Sequence, residues 1–154
     1  MKFKHYWEDF PAGWTCDHGS RTLSEAEIVA FAADWDPQRF HTDREAAKET
    51  MYGSIIASAW HTGCVMMRMM CDAYLKEASC IGSPGIENWM FPLPVRPGDT
   101  LRYRATVLEA RPSSSKPDRG IVKWRWEMLN QRDEVVMSSV GTQFFLRRDQ
   151  PTPR

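Results

Sequence analysis

The amino-acid sequence predicts an α+β protein in which an antiparallel β-sheet curls around one long buried helix. Two observations indicate this class. Residues 50–67 carry no formally charged side chain, and residues 68–78 continue them as a run rich in apolar residues. Three segments of alternating apolar and polar residues then follow, separated by short turns. Because a helix that is apolar on all sides is buried, the sheet is expected to cover it.

Length and charge favour one globular domain without a polyanionic partner. A chain of 154 residues can form a single core that buries about 70% of its unfolded surface. We therefore expect one domain over residues 1–154, with a short N-terminal lead-in and a frayed C-terminal tail. Twenty basic and twenty acidic residues cancel, so the composition indicates neither a nucleic acid nor an anionic membrane as partner.

The sequence also disfavours insertion into a membrane, secretion and metal binding. Arg68 and Asp72 would lie within or beside any membrane span formed by the apolar run. Residues 1–13 contain no apolar stretch typical of a signal peptide. The four cysteines have no paired metal spacing, and a cytoplasmic location is expected.

The first elements can be placed from local signals. Residues 1–13 are rich in aromatic side chains and are expected to pack on a surface, either of this chain or of a partner. Residues 14–21 are predicted to form a strand. Ser24 and Glu27 form a capping box that opens an amphipathic helix. This helix should end near Trp35, because the residue before Pro37 is disfavoured in helical geometry.

The remaining elements follow in order. Thr42 and Glu45 make a second capping-box signature, which predicts a short helix through Lys48. The central helix comes next, and residues 82–85 then break the chain before a short apolar run at residues 86–91. The three alternating segments predict strands at residues 100–109, 121–129 and 134–147.

A carboxylate and an imidazole flank the turn between the first two helices. On a continuous helix Asp36 and His41 would point about 140° apart, but the turn that Pro37 enforces allows both to face one cavity. There they could hold a water molecule and move its proton. Alternatively, Asp36 stabilises the turn and His41 satisfies a backbone group. Taken alone, these residues favour the structural alternative.

Four motifs together resemble those of the MaoC-like dehydratases, relatives of the (R)-specific enoyl-CoA hydratases. They are Asp-Pro-Gln-Arg-Phe-His-Thr-Asp at 36–43, Ile-Ala-Ser-Ala-Trp-His-Thr at 56–62, Pro-Val-Arg-Pro-Gly-Asp at 94–99 and Asn-Gln at 130–131. The resemblance covers roughly residues 20–148. It implies the hotdog fold and a lyase of fatty acid metabolism that adds water to trans-2-enoyl thioesters or removes it from 3-hydroxyacyl thioesters.

The resemblance also implies roles for individual residues. Asp36 and His41 would be the catalytic pair, and the backbone N–H of Ala59 would stabilise the negative charge on the thioester oxygen. The substrate-binding residues are expected to be Phe40, Ser58, Trp60, Met66 and Met67. Coenzyme A or an acyl carrier protein would carry the substrate, and no separate cofactor is implied. A homodimer is expected, with the pocket near the subunit interface.

Two other functions remain open at this stage. A hotdog thioesterase generally places a carboxylate on or facing the central helix, and the absence of Asp and Glu between Thr50 and Cys71 disfavours it. A non-catalytic acyl-binding subunit is favoured if Ala59 or Arg39 blocks the pocket, since related hydratases commonly have glycine at the position of Ala59. His61 is expected to be a hydrogen-bonded residue of the helix rather than a metal ligand.

Overall fold

The computed structural model describes residues 2–148, which fold into four α-helices and five β-strands. The helices are α1 (Glu25–Trp35), α2 (Arg39–Thr42), α3 (Arg44–Lys48) and α4 (Ala59–Ala73). The strands are β1 (Thr15–Thr22), β2 (Cys80–Met90), β3 (Thr100–Pro112), β4 (Arg119–Leu129) and β5 (Val135–Leu146). No helix in this part of the chain is both long enough and apolar enough to cross a bilayer.

The strands form one antiparallel sheet in the order β1-β3-β4-β5-β2. Hairpins join β3 to β4 and β4 to β5, whereas β2 follows α4 and pairs with β5 at the sheet edge. The buried side of α4 belongs to the same core as the inward side chains of the central strands. This is the hotdog fold, which confirms the predicted class.

The alternation read from the sequence predicts which side chains enter the core. In β3, Leu101, Tyr103, Ala105 and Val107 are buried, while the residues between them are partly exposed. In β4, Trp124 and Trp126 are buried on the same face. The side-chain period of two in a strand therefore suffices to orient the central sheet.

The central helix is shorter and less buried than the apolar run predicts. It begins at Ala59, and residues 50–58 form turns and extended chain instead. Trp60 is 59% exposed and Met67 is 44% exposed, and both lie with Cys64 on one face of α4. The prediction of a helix buried all round was wrong, because the sheet of a single chain covers only one side of it.

Two local predictions about the short helices have different outcomes. The first capping box is confirmed, since Ser24 and Glu27 exchange their reciprocal hydrogen bonds at the start of α1. The second is wrong, because Asp43 rather than Thr42 caps α3 by accepting from two backbone N–H groups. Thr42 instead ends α2, a single helical turn that the sequence reading did not anticipate.

Strand β2 is longer than the predicted apolar run at residues 86–91. It also includes residues 82–85, where the sequence predicted a break in the chain. Its register with β5 shifts at three places, so glycine and proline are accommodated by bulges along an edge strand. The proline at position 84 costs little in this strand because only one of its sides is paired.

The N-terminal lead-in packs on its own chain. Phe10 is 1% exposed and its ring contacts those of Trp14, Tyr74 and Phe145. Residues 7–10 therefore help to close one end of the core. The predicted frayed tail at Pro151 and Pro153 lies outside the described residues.

Candidate active site

A tight turn between α1 and α2 brings Asp36 and His41 together. Asp36 is the C-cap that follows α1, and its N–H still donates to the carbonyl oxygen of Ala32 at 2.8 Å. Pro37 then redirects the chain, and α2 begins at Arg39. The two side chains therefore project from different helices, and Asp36 Oδ2 lies 3.3 Å from His41 Nε2.

Each oxygen of the Asp36 carboxylate accepts a hydrogen bond. Ser58 Oγ donates to Oδ2 at 2.6 Å, and Gln38 Nε2 donates to Oδ1 at 2.7 Å. Burial raises the pKa of Asp36, but the hydrogen bonds from Ser58 and Gln38 lower it, and the pKa stays below its usual value. Asp36 is thus a carboxylate at neutral pH.

His41 is held in one orientation by the backbone. Its side chain is buried, and Nδ1 lies 2.7 Å from the carbonyl oxygen of Ile56. A carbonyl oxygen can only accept, so Nδ1 carries a proton and donates it. In the neutral ring Nε2 is then unprotonated and faces the carboxylate of Asp36.

The N-terminus of α4 supplies an unpaired donor close to this pair. Ser58 is the N-cap, and its hydroxyl accepts from the N–H of Trp60 at 3.3 Å. Among the described residues no acceptor pairs with the N–H of Ala59, the first helical residue. Ala59 does not have a positive φ, so its methyl group requires no unusual backbone geometry.

Asp36, His41 and Ala59 line one cavity of about 520 Å³. Apolar and aromatic side chains form most of its walls, and they come from the loop before α4, from residues 91–95 and from β5. These wall residues include Met51, Tyr52, Ile56, Ala57, Phe91, Leu93, Val95 and Val136. A carboxylate and an imidazole thus stand in a largely apolar cleft, which is the setting in which proton transfer to a bound substrate is effective.

The predicted substrate-binding residues divide into three groups. Phe40 and Trp60 line the cavity. Ser58 is fully buried behind the cavity wall and contacts Asp36 instead. Met66 and Met67 do not line the cavity, because the turn of α4 directs Met66 into the core and Met67 to the exposed face. Their predicted role in substrate binding stays a prediction.

Other residues of interest fall outside the cavity or were missed. Arg39 is exposed and does not line the cavity. His61 stacks on Phe31, and no described residue provides the predicted hydrogen bond to its buried Nδ1. Gln38 and Tyr52 line the cavity but were not proposed as site residues, although Gln38 lies inside the first motif. No group of three metal-ligating side chains is present within residues 2–148.

The fold and the site together define a hotdog-fold protein whose cavity is lined by a carboxylate, an imidazole and a residue with an unpaired helix-terminal amide. Comparison with known proteins identifies the family. The model of the MaoC-like domain matches residues 11–123, so the chain belongs to this family.

Similar proteins agree with this assignment. The chain is 33% identical to the protein MaoC of Klebsiella aerogenes over 105 residues, which are 68% of this chain and 31% of MaoC, so it spans about a third of that protein. A MaoC-like dehydratase from Rhodospirillum rubrum is 40% identical, with a TM-score of 0.88 over 94% of this chain and 99% of that one. The R-hydratase PhaJ1 of Pseudomonas aeruginosa shares the fold, at 20% identity and a TM-score of 0.73, over 97% of this chain and 94% of that one.

Proposed function

We propose that this protein is a hydratase or dehydratase that interconverts trans-2-enoyl and 3-hydroxyacyl thioesters. One observation carries the proposal: the ionised Asp36 lies 3.3 Å from His41 in a cavity that is also lined by Ala59, whose N–H is unpaired among the described residues. Coenzyme A or an acyl carrier protein would carry the acyl chain, and the residues need no further cofactor for this reaction.

In the hydration direction, Asp36 and His41 hold one water molecule. Nε2 of His41 and the carboxylate of Asp36 can both accept a hydrogen bond, so the water molecule can donate one hydrogen bond to each of them. As the water oxygen bonds to C3 of the enoyl thioester, one proton passes to the pair and the electrons of the double bond move toward the thioester carbonyl. The pair then returns a proton to C2, which completes the addition of one water.

The N–H of Ala59 stabilises the intermediate charge on the thioester oxygen. It lies in the first turn of α4, where the unpaired amides and the helix dipole favour an anion. Loss of such a donor typically costs about 3 kcal/mol of transition-state stabilisation. A backbone donor explains why alanine can replace the glycine of related hydratases at this position.

The distribution of carboxylates supports hydration over thioester hydrolysis. Within residues 2–148, Asp36 is the only carboxylate among those that line the cavity. On α4, Asp72 lies near the far end and pairs with Arg68 and Lys76 at the surface. A carboxylate on the central helix is therefore not available to attack a thioester or to activate water near its carbonyl carbon.

Hydration of short and medium trans-2-enoyl-CoA tests the proposal. The loss of conjugated enoyl absorbance is followed for the wild type, Asp36→Asn and His41→Ala. Each variant should lose at least about a hundredfold in turnover, the lower range for a positioned acid or base. Asp34→Asn is the matched control, since Asp34 is exposed on α1 and does not line the cavity.

The possible outcomes separate the candidate functions. Loss of activity in both variants but not in Asp34→Asn, with folding intact, supports the assignment. Release of free thiol without hydration would indicate a thioesterase. Binding of enoyl-CoA without either reaction would indicate a non-catalytic acyl-binding protein.

We also propose that the protein acts as a homodimer. The exposed face of α4 carries Trp60, Cys64 and Met67, and the neighbouring edge strand β2 exposes Ile86 and Met90. An exposed apolar face beside an unpaired strand edge favours association. Because Trp60 also lines the cavity, a second copy on this face would border the substrate pocket.

Light scattering at micromolar concentration tests the dimer. The wild type should have twice the mass of one chain, and Met67→Glu should shift the mass toward the monomer, because a charge would be buried at the contact. Thr15→Glu on β1, at the opposite edge of the sheet, introduces the same charge at an exposed position and serves as the control. A monomeric wild type would refute the proposal.

A further inference from the structure

Ser58 connects the two halves of the candidate site through one hydroxyl group. Its side chain is fully buried, and Oγ donates to Asp36 Oδ2 at 2.6 Å. The same oxygen accepts the N–H of Trp60 at 3.3 Å in the first turn of α4. The carboxylate at the end of α1 is thereby tied to the helix terminus that presents Ala59.

The direction of these hydrogen bonds follows from the available protons. An ionised carboxylate only accepts, so the single hydroxyl proton of Ser58 must point at Asp36. A backbone N–H only donates, so the N–H of Trp60 must use a lone pair on the same hydroxyl. The Ser58 hydroxyl can therefore make both hydrogen bonds at the same time.

The location of Ser58 excludes direct contact with a ligand in the cavity. It does not line the cavity, and its carbonyl oxygen is engaged by the N–H of Thr62 at 3.1 Å. Its backbone is thus anchored in the helix while its side chain reaches the carboxylate. Gln38, which holds the other oxygen of Asp36, is exposed and two residues away on the same turn.

We propose that Ser58 is a positioning residue that fixes the position of the Asp36 carboxylate relative to the Ala59 amide. This inference rests on the proposed hydratase function, in which the carboxylate acts near C3 of the substrate while the amide binds the thioester oxygen on C1. The two groups belong to segments more than twenty residues apart, and the Ser58 hydroxyl bridges them directly. Misplacement of a catalytic group by about 1 Å can cost about a hundredfold in rate.

A purely structural role for Ser58 makes a different prediction. As an N-cap alone, Ser58 would contribute to the stability of α4 and leave the ionisation of Asp36 unchanged. As a positioning residue, it must also act on the carboxylate. The ionisation of Asp36 therefore discriminates the two roles without any need for turnover.

The first experiment is an NMR titration of the carboxyl carbon of Asp36 in protein labelled with ¹³C-aspartate. Its signal is assigned by its absence in Asp36→Asn. Because removal of a donor disfavours the ionised carboxylate, the pKa of Asp36 should be higher in Ser58→Ala than in the wild type. Ser24→Ala is the matched control, since Ser24 caps α1 in the same way without touching Asp36.

Enoyl-CoA hydration supplies the second measurement. In Ser58→Ala, kcat should fall about ten- to a hundredfold, the range expected for a lost hydrogen bond to a charged group, and KM should stay within about twofold. The acidic limb of the rate profile should move to higher pH. Ser58→Thr keeps the hydroxyl and should recover most of kcat, while Ser24→Ala should match the wild type.

Each result bears on the inference separately from the overall activity. An unchanged pKa of Asp36 in folded Ser58→Ala would overturn it, as would equal losses of kcat in Ser58→Ala and Ser24→Ala. A wild type that hydrates no enoyl thioester, but whose Asp36 titration responds to Ser58→Ala, would refute the proposed function while supporting the coupling of Ser58 to Asp36.

Discussion

Nδ1 of His41 donates its proton to the main-chain oxygen of Ile56, and the nitrogen and oxygen atoms lie 2.7 Å apart. This contact fixes both the orientation of the ring and its neutral tautomer. Ile56 in turn donates its N–H to the carbonyl oxygen of Phe40 at 3.1 Å. Two hydrogen bonds to Ile56 therefore join helix α2 to the segment before α4, one from the ring of His41 and one to the carbonyl oxygen of Phe40. They hold the ring in place before any substrate binds.

Substitution of His41 by asparagine should separate its structural role from its chemical one. The amide of asparagine can still donate to the Ile56 carbonyl, but it cannot accept and return a proton. We expect a free energy of unfolding within about 1 kcal/mol of the wild type and at least about a hundredfold loss of hydration activity. Urea unfolding and enoyl-CoA hydration measure the two effects. Retention of activity in His41→Asn would contradict the assigned role.

Arg96 should affect substrate binding more than turnover. Its Nη1 donates to the carbonyl oxygen of Tyr52 at 2.9 Å and to the hydroxyl of Ser54, so it holds the loop that forms one cavity wall. In Arg96→Met, KM should rise about three- to tenfold, corresponding to the loss of about 1 kcal/mol, with kcat little changed. Steady-state kinetics test this, with exposed Arg39→Met as the control. An equal loss in kcat would show that the loop also positions the catalytic pair.

Gly141 should tolerate no side chain. It lies opposite Trp124 in the sheet, and a Cβ atom there would approach the ring of the buried Trp126 to 2.2 Å. Gly141→Ala should destabilise the protein by about 1–3 kcal/mol through overpacking. Gly85→Ala on β2 is the matched control, since no atom of the described part of the chain lies within 4 Å of its added Cβ. Equal midpoints of urea unfolding for the two variants would refute the packing argument.

His61 should make the stability depend on pH. Burial lowers the pKa of His61 and Arg21 lowers it further, against the opposing effect of Glu27. In the unfolded chain a histidine titrates near about 6.5, so the unfolded state binds protons first as the pH falls. The free energy of unfolding should therefore decrease below about pH 6.5, by at most about 1.4 kcal/mol per pH unit from this group.

Urea unfolding between pH 7 and pH 5 tests this expectation. His61→Phe can keep the stack on Phe31 but cannot be protonated, so its stability should vary less over this range. Parallel loss of stability in the wild type and in His61→Phe would assign the dependence to other groups.

Several features followed from local sequence because their causes are local. The Ser24 and Glu27 capping box involves residues three apart, and the end of α1 at Trp35 follows from Pro37. The alternation in β3 and β4 predicted their buried faces because the side-chain period is intrinsic to a strand. The capping box predicted at Thr42 was wrong because two residues that can cap a helix are adjacent there. Only Asp43 is placed to accept hydrogen bonds from the first N–H groups of α3.

The candidate site was only partly predictable. Residue spacing alone left Asp36 and His41 open to a structural interpretation, and resemblance to a family favoured the catalytic one. The structure shows that they meet across the turn, although their catalytic roles stay a prediction until variants are measured. The partner of Ser58 was not predictable, since it lies 22 residues away in sequence and no local pattern links the two.

The sequence by itself determined helix α1, the faces of the central strands and the family motifs, because propensity, capping and periodicity act over a few residues. Tertiary structure decided which face of α4 meets the sheet, why Met67 points away from the cavity, and how Ser58 joins α1 to α4. It also decided that β2 completes the sheet beside β5. These features depend on contacts between distant segments, and such contacts are selected by the packing of the whole core rather than by the local chain.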